Sequence, residues 1–252
     1  MSRHFYYPDG RPAYKVVGKN GQLRDATIRD ARKLGLVPSV TEIMKIIPRP
    51  GLDHWKEDRL MDAVLEELTE LEPEGEIDRN RIRHRAAREA MKAADIGSAI
   101  HRALEARVGH SRRPIGGLWG YHAECCYRYL INLTGITDWT PEKAFTMIDG
   151  SRGYGGRVDL LADNIIVDLK TTESHYNDNG EPKRLHWPGH KMQLVAYGVG
   201  IFKAITDMRL INLYVDYSGH VTHYEWGLSP KEIHTEYLRF WAILEAWYAI
   251  NF

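Results

Sequence analysis

The sequence predicts an α/β (α+β) fold in which a central mixed β-sheet is flanked by helices. Residues 144–148, 156–162 and 165–170 are short, β-branched runs bounded by Asp, Asn and Gly, the signature of strands. Apolar residues at helical spacing dominate the chain before and after them. No internal repeat or low-complexity tract interrupts the 252 residues, and 43% hydrophobic content is enough to bury a sizeable core.

Turn signals at Pro8-Asp9-Gly10 and Lys19-Asn20-Gly21 separate short strand-like pieces, so the first thirty or so residues read as a small β-ribbon. Ser39 followed by Glu42 three residues later is a capping box, opening a short helix that Pro48 and Pro50 stop. A helix is expected over residues 52–71, broken in the 73–75 region. Another spans 81–108, with Ile96, Ile100, Ala103 and Leu104 on one face and Gly109 as C-cap; a third covers 118–133. After the three strands, a turn-rich loop (173–189) leads to a helix over 190–205. A hairpin of 210–217 and 221–226 turns at Ser218-Gly219, and a last helix has Ser229 as N-cap, Pro230 at N1 and Glu232 at N3.

Composition excludes several classes. No run of about 18 apolar residues occurs, and the N-terminus lacks the apolar core of a secretory signal, so an intracellular, cytoplasmic address with no membrane partner is expected. The two cysteines, Cys125 and Cys126, are adjacent and cannot supply a disulfide framework, a four-cysteine zinc site or an iron–sulfur cluster; they read as buried free thiols. The 34 basic and 34 acidic residues balance but segregate: residues 52–78 hold eleven acidic and two basic side chains, residues 79–113 ten basic and three acidic. Such a basic stretch suits either a solvated helix face or a track for a phosphate backbone.

Chemistry concentrates between Gly155 and Thr172. If Asp163-Asn164 forms a two-residue hairpin turn, Ala162 faces Ile165, and counting outward places Asp159 opposite Asp168 on one face of the sheet. Two like charges so placed destabilise the pair unless a cation lies between them. Side chains alternate along a strand, so Lys170 shares the face of Asp168. Two carboxylates, an ammonium and the Leu169 carbonyl suit octahedral Mg²⁺ or Mn²⁺ better than zinc, and such a site fits phosphoryl chemistry. The bland reading of Asp-x-Lys is a surface hairpin whose charges pair with each other.

Asp159 with Asp168-Leu169-Lys170-Thr171-Thr172 resembles the core of the PD-(D/E)XK nuclease superfamily. Three further features resemble its RecB-type branch, which includes phage and mitochondrial single-strand exonucleases. These are Gly97-Ser98-Ala99-Ile100-His101, like the helix whose histidine helps bind metal; Gln193-Leu194-Val195-Ala196-Tyr197, like the Q-x-x-x-Y signature; and Glu142 at the entrance to the preceding strand. The resemblance spans about residues 97–197. It implies a restriction-endonuclease-like core with an N-terminal helical region, one nuclease domain over 1–252 divided into an N-terminal region (1–95), a catalytic core (96–205) and a C-terminal hairpin and helix (206–252).

It also implies roles. His101, Asp159, Asp168 and the Leu169 carbonyl would hold Mg²⁺ or Mn²⁺, Glu142 would support a second ion or the water, Lys170 would assist the nucleophile, and Gln193 with Tyr197 would orient the substrate. The implied activity is that of a metal-dependent exodeoxyribonuclease on single strands or DNA ends in replication, recombination or repair, with a single-strand annealing or binding protein as partner. Structure-selective endonucleases share this core, and a catalytically silent nucleic-acid-binding module is the reading from another class. The four cysteines that hold an iron–sulfur cluster in some relatives are missing, as is a helicase P-loop. Trp55 and Trp187 are candidates for stacking on bases, whereas Trp241, Trp247 and Tyr248 fit a core pattern.

Overall fold

The computed structural model describes residues 3–48, 50–72, 75–109, 116–177 and 179–252. Pro73, in the expected helix break, and residues 110–113, the end of the basic segment, lie outside them. Among the described residues no helix is long and apolar enough to cross a membrane.

A five-stranded mixed sheet forms the centre, in the order β5 (Thr140–Asp149), β6 (Arg152–Ala162), β7 (Ile165–Thr172), β8 (Arg209–Asp216), β9 (Val221–Trp226). Neighbours are antiparallel except β7 and β8, which run parallel and are joined through α6 (Pro188–Phe202). A parallel pair needs such a crossover, because a tight turn cannot bring the chain back to the same end.

Periodicity assigns each face its cover. Ile165, Val167 and Leu169 of β7, with Ile211, Leu213 and Val215 of β8, pack against Ile100, Ala103 and Leu104 of α4 (Arg79–Val108) and Cys126 and Leu130 of α5 (Gly117–Thr134). On the other face Ile166, Leu210, Val158 and Tyr154 meet α6 and Phe240, Leu244 and Trp247 of α7 (Pro230–Asn251). The three-layer arrangement buries the sheet on both sides.

The N-terminal region joins the α6/α7 face. β1 (Phe5–Tyr6) pairs with β4 (Val37–Pro38), and β2 (Lys15–Val17) with β3 (Leu23–Asp25) around the expected Lys19-Asn20-Gly21 turn. α1 (Ile28–Leu34), a helix not expected from the sequence, starts at a capping box of Thr27 and Asp30. At α2 (Val40–Ile43) only half of the expected box forms. Ser39 Oγ accepts the Glu42 N–H at 3.0 Å, but the Glu42 carboxylate turns away to Lys45 and Arg3. The Ser39 N–H is taken instead by the His4 carbonyl, so the back-bond has no donor left.

The charge segregation resolves inside the fold. The acidic helix α3 (Pro50–Thr69) packs on the basic start of α4, where Arg81 and Arg85 pair with Glu67 and Glu70. Part of the charge of the basic segment is thus neutralised by the segment that precedes it. What remains is a groove of about 990 Å³ along α4, lined by Arg81, Arg85, Arg88, Lys92, Arg102 and Trp119 among others.

Candidate active site

The β6–β7 hairpin sets the site. Asp163, with φ 46°, occupies the left-handed region that a two-residue turn needs, and the ladder runs Ala162↔Ile165, Leu161↔Ile166, Leu160↔Val167. The next residues outward are Asp159 and Asp168, as expected, but the ladder opens before them. Asp159 Oδ2 instead accepts the Leu169 N–H at 2.7 Å, so a side chain does the work of a strand partner.

Across the other edge of β6, pairing skips from Pro141↔Leu160 to Lys143↔Val158, leaving Glu142 beside Asp159. Glu142 has φ 52°, a strained conformation for a non-glycine residue, and side-chain alternation breaks at this level. Val158 joins one core and Leu160, two residues on, the other. The kink turns Glu142 and Asp159 out of the regular pleat.

Helices from both faces reach this point. α4 comes close to β7 at Gly97, where a Cβ would stand 2.9 Å from Thr171 Oγ1. One turn later His101 Nδ1 lies 3.4 Å from Asp159 Oδ1. His101, Glu142 and Asp159 can each aim a ligand atom so that all lie within 4.8 Å of one another. From the opposite face α6 supplies Gln193 and Tyr197. Gln193 Nε2 donates to Asp168 Oδ1 at 3.0 Å and is 2.9 Å from the Tyr197 hydroxyl, while Gln193 Oε1 accepts from Lys170 Nζ at 3.2 Å. Lys170 Nζ is also 2.8 Å from Asp168 Oδ2.

All the predicted side chains therefore gather, but in two sets. Asp159 sides with His101 and Glu142; Asp168, only 4% exposed, faces Lys170, Gln193 and Asn212. Asp159 and Asp168 thus direct their hydrogen bonds at different partners, Asp159 at the Leu169 N–H and Asp168 at Gln193 and Asn212. The Leu169 side chain lies in the α4/α5 core, leaving its backbone alone to face the site.

Burial is the largest single electrostatic influence at both sets. Burial pushes the Asp168 carboxyl above its usual range, opposed by Lys170 and aided by Asp159. Burial likewise raises Glu142, with Arg157 opposing and Asp159 and Glu105 adding repulsion. Burial acts to lower His101, yet the contact with Asp159 outweighs it and the imidazole is raised. His101, Glu142 and Asp159 together give an imidazole and two carboxylates, a donor chemistry of the kind that hard divalent ions such as Mg²⁺ and Mn²⁺ take.

Two residues escaped the sequence reading. Arg157, on the neighbouring strand, pairs with the Glu142 carboxylate. Asn212, fully buried in β8 at the level of Asp168, donates to Asp168 Oδ2 at 2.9 Å and accepts from Trp226 Nε1 at 2.8 Å. An amide inside the apolar run Leu210-Ile211-Asn212-Leu213 was the available signal. Asn212→Ala is expected to lower unfolding free energy by about 2–3 kcal/mol, because a hydrogen bond to a charged group disappears and buried partners lose theirs; urea denaturation measures it.

No protein-family model matches the sequence, and no curated protein matches it. Among solved structures, the chain is similar to the crystal structure of SSO0001, with 20% identity over 74% of this chain and 85% of that one and a TM-score of 0.33. It is also similar to a provisionally assigned exonuclease from Eubacterium rectale, with 12% identity over 61% of this chain and 68% of that one and a TM-score of 0.39.

Proposed function

We propose that the protein is a divalent-metal-dependent DNA exonuclease that hydrolyses phosphodiester bonds on single strands or at DNA ends. The observation that carries this reading is the convergence of His101, Glu142 and Asp159 beside the Lys170–Asp168–Gln193 network. His101, Glu142 and Asp159 would hold Mg²⁺ or Mn²⁺, with Asp168 and the Leu169 carbonyl as further ligands from the adjoining set. A bound divalent ion supplies Lewis-acid polarisation of a phosphodiester oxygen and a lowered pKa for attacking water.

The chain's own groups do the rest. Gln193, held by Asp168 and the Tyr197 hydroxyl, fixes the Lys170 ammonium through its amide oxygen. The Lys170 side chain is about a third exposed, so its charge meets the substrate and offsets negative charge growing on the phosphoryl oxygens. Asn212 keeps Asp168 turned toward Lys170. In this reading the phosphate backbone lies along the groove of α4, where Arg88, Lys92 and Arg102 supply the positive charge. A protein that coats single strands, such as an annealing or binding protein, is the partner this reading implies.

Closed circular plasmid compared with the same plasmid linearised tests the exonuclease reading. The linear form is degraded in Mg²⁺ or Mn²⁺ and the closed form survives. Nicking or linearisation of the closed form would move the assignment to a structure-selective endonuclease. DNA binding in the groove without cleavage of either form would favour a silent binding module.

A further inference from the structure

We propose that His175, Asp216 and His220 form a second metal site, of the zinc class, which clips the loop after β7 to the β8–β9 turn. The three residues come from separate points in the fold: His175 follows β7, Asp216 ends β8, and His220 precedes β9. Their ligand atoms all lie within 4.8 Å of one another.

The donor geometry is specific. The Nδ1 atoms of His175 and His220 face each other at 3.0 Å, and Asp216 Oδ2 lies 3.9 Å from His175 Nδ1. Asp216 Oδ1 is fully engaged, accepting from the Ser218 N–H, the Ser218 hydroxyl and the His220 N–H at 2.9, 2.6 and 3.0 Å. Those bonds lock the carboxylate so that Oδ2 is presented to the imidazoles. A single hydrogen bond between the rings satisfies two of the three lone-pair atoms and leaves Oδ2 beyond hydrogen-bond reach of His175. One ion satisfies all three.

Tetrahedral zinc, with bonds of roughly 2.0–2.2 Å, places its ligand atoms roughly 3.3 Å apart, between the 3.0 Å of the two imidazoles and the 3.9 Å from His175 to Asp216. His175 and Asp216 are each only 5% exposed, so the site is preformed at its base, while His220 is exposed and opens on a cavity of about 220 Å³. That opening leaves room for a water or an outside donor as fourth ligand. Two imidazoles and one carboxylate select a borderline-soft ion, whereas the oxygen-rich set around Asp159 selects a hard one. The two sites are thereby separated by chemistry, and this inference stands apart from the nuclease reading.

The clip also has a place to act. The loop is already tied back by the Lys183 N–H to the His175 carbonyl at 2.8 Å, and Tyr176 stacks over His220. Its far end is Trp187, the N-cap of α6, the helix that carries Gln193 and Tyr197.

Metal-free protein titrated with Co²⁺ tests the proposal. One equivalent is expected to give the intense visible d–d bands of low coordination, bleached by one equivalent of Zn²⁺, with unchanged bands in Asp159→Asn. His220→Ala removes the bands and the retained zinc, and His220→Cys restores binding with a new near-ultraviolet thiolate-to-cobalt charge-transfer band. The cysteine variant guards against loss of folding as the cause. Absence of these bands in the wild type, or bands that survive His220→Ala and vanish in Asp159→Asn, would overturn it.

Discussion

Asp159→Asn is expected to reduce DNA cleavage on the order of 1,000-fold while leaving the fold intact. Two functions of the side chain separate in this substitution. As a carboxylate, Asp159 supplies charge to the set it forms with His101 and Glu142. As an acceptor, its Oδ2 replaces the missing ladder bond to the Leu169 N–H. An asparagine oxygen still accepts that N–H, so stability stays within about 1 kcal/mol, but a neutral ligand holds a hard cation poorly. Asp159→Ala removes both functions and adds a stability loss of about 1–3 kcal/mol from the orphaned amide. Isothermal titration with Mn²⁺, alongside urea denaturation of the two variants, distinguishes the contributions. An Asp159→Asn variant that binds Mn²⁺ as tightly as the wild type and stays fully active would remove the residue from the metal site.

Lys170→Ala is expected to cost on the order of 100-fold or more in turnover, the scale for loss of a positioned electrostatic group, with substrate affinity changed far less. The Lys170 ammonium is fixed by Asp168 at 2.8 Å and Gln193 at 3.2 Å, so it is held in place before substrate arrives. Mn²⁺ binding should survive in this variant because Lys170 is not a ligand. Single-turnover kinetics measures the effect; a rise in KM with unchanged kcat would reassign Lys170 to ground-state binding of the phosphate.

The hairpin at the heart of the site was legible in the sequence because its turn determines its register. Asp163-Asn164 is short enough to permit one pairing, and alternation then follows residue by residue. The helix that carries His101 and the capped helix that begins at Ser229 were equally legible, since apolar spacing and capping residues act locally. Features that depend on distant segments were not. The opened ladder at Asp159 and the left-handed Glu142 arise from the meeting of three strands, and no local preference marks either. The pairing of Arg81 and Arg85 with Glu67 and Glu70 was not legible, because it depends on how α3 and the residue just after it meet α4. His175, Asp216 and His220 span forty-five residues, with no spacing that announces a ligand set. Asn212 shows the intermediate case, a polar residue in an apolar strand whose partner, Asp168, comes from the neighbouring parallel strand.

The most direct test of the central claim is hydrolysis of a 5′-labelled single-stranded DNA oligonucleotide by the wild-type protein in Mg²⁺, in Mn²⁺ and in EDTA, with Lys170→Ala run in parallel. Progressive shortening in either metal, abolished by EDTA, recovered on adding the metal back and lost in the variant, is the expected result. An oligonucleotide left intact in both metals, or degraded equally by wild type and variant or in the presence of EDTA, would contradict it.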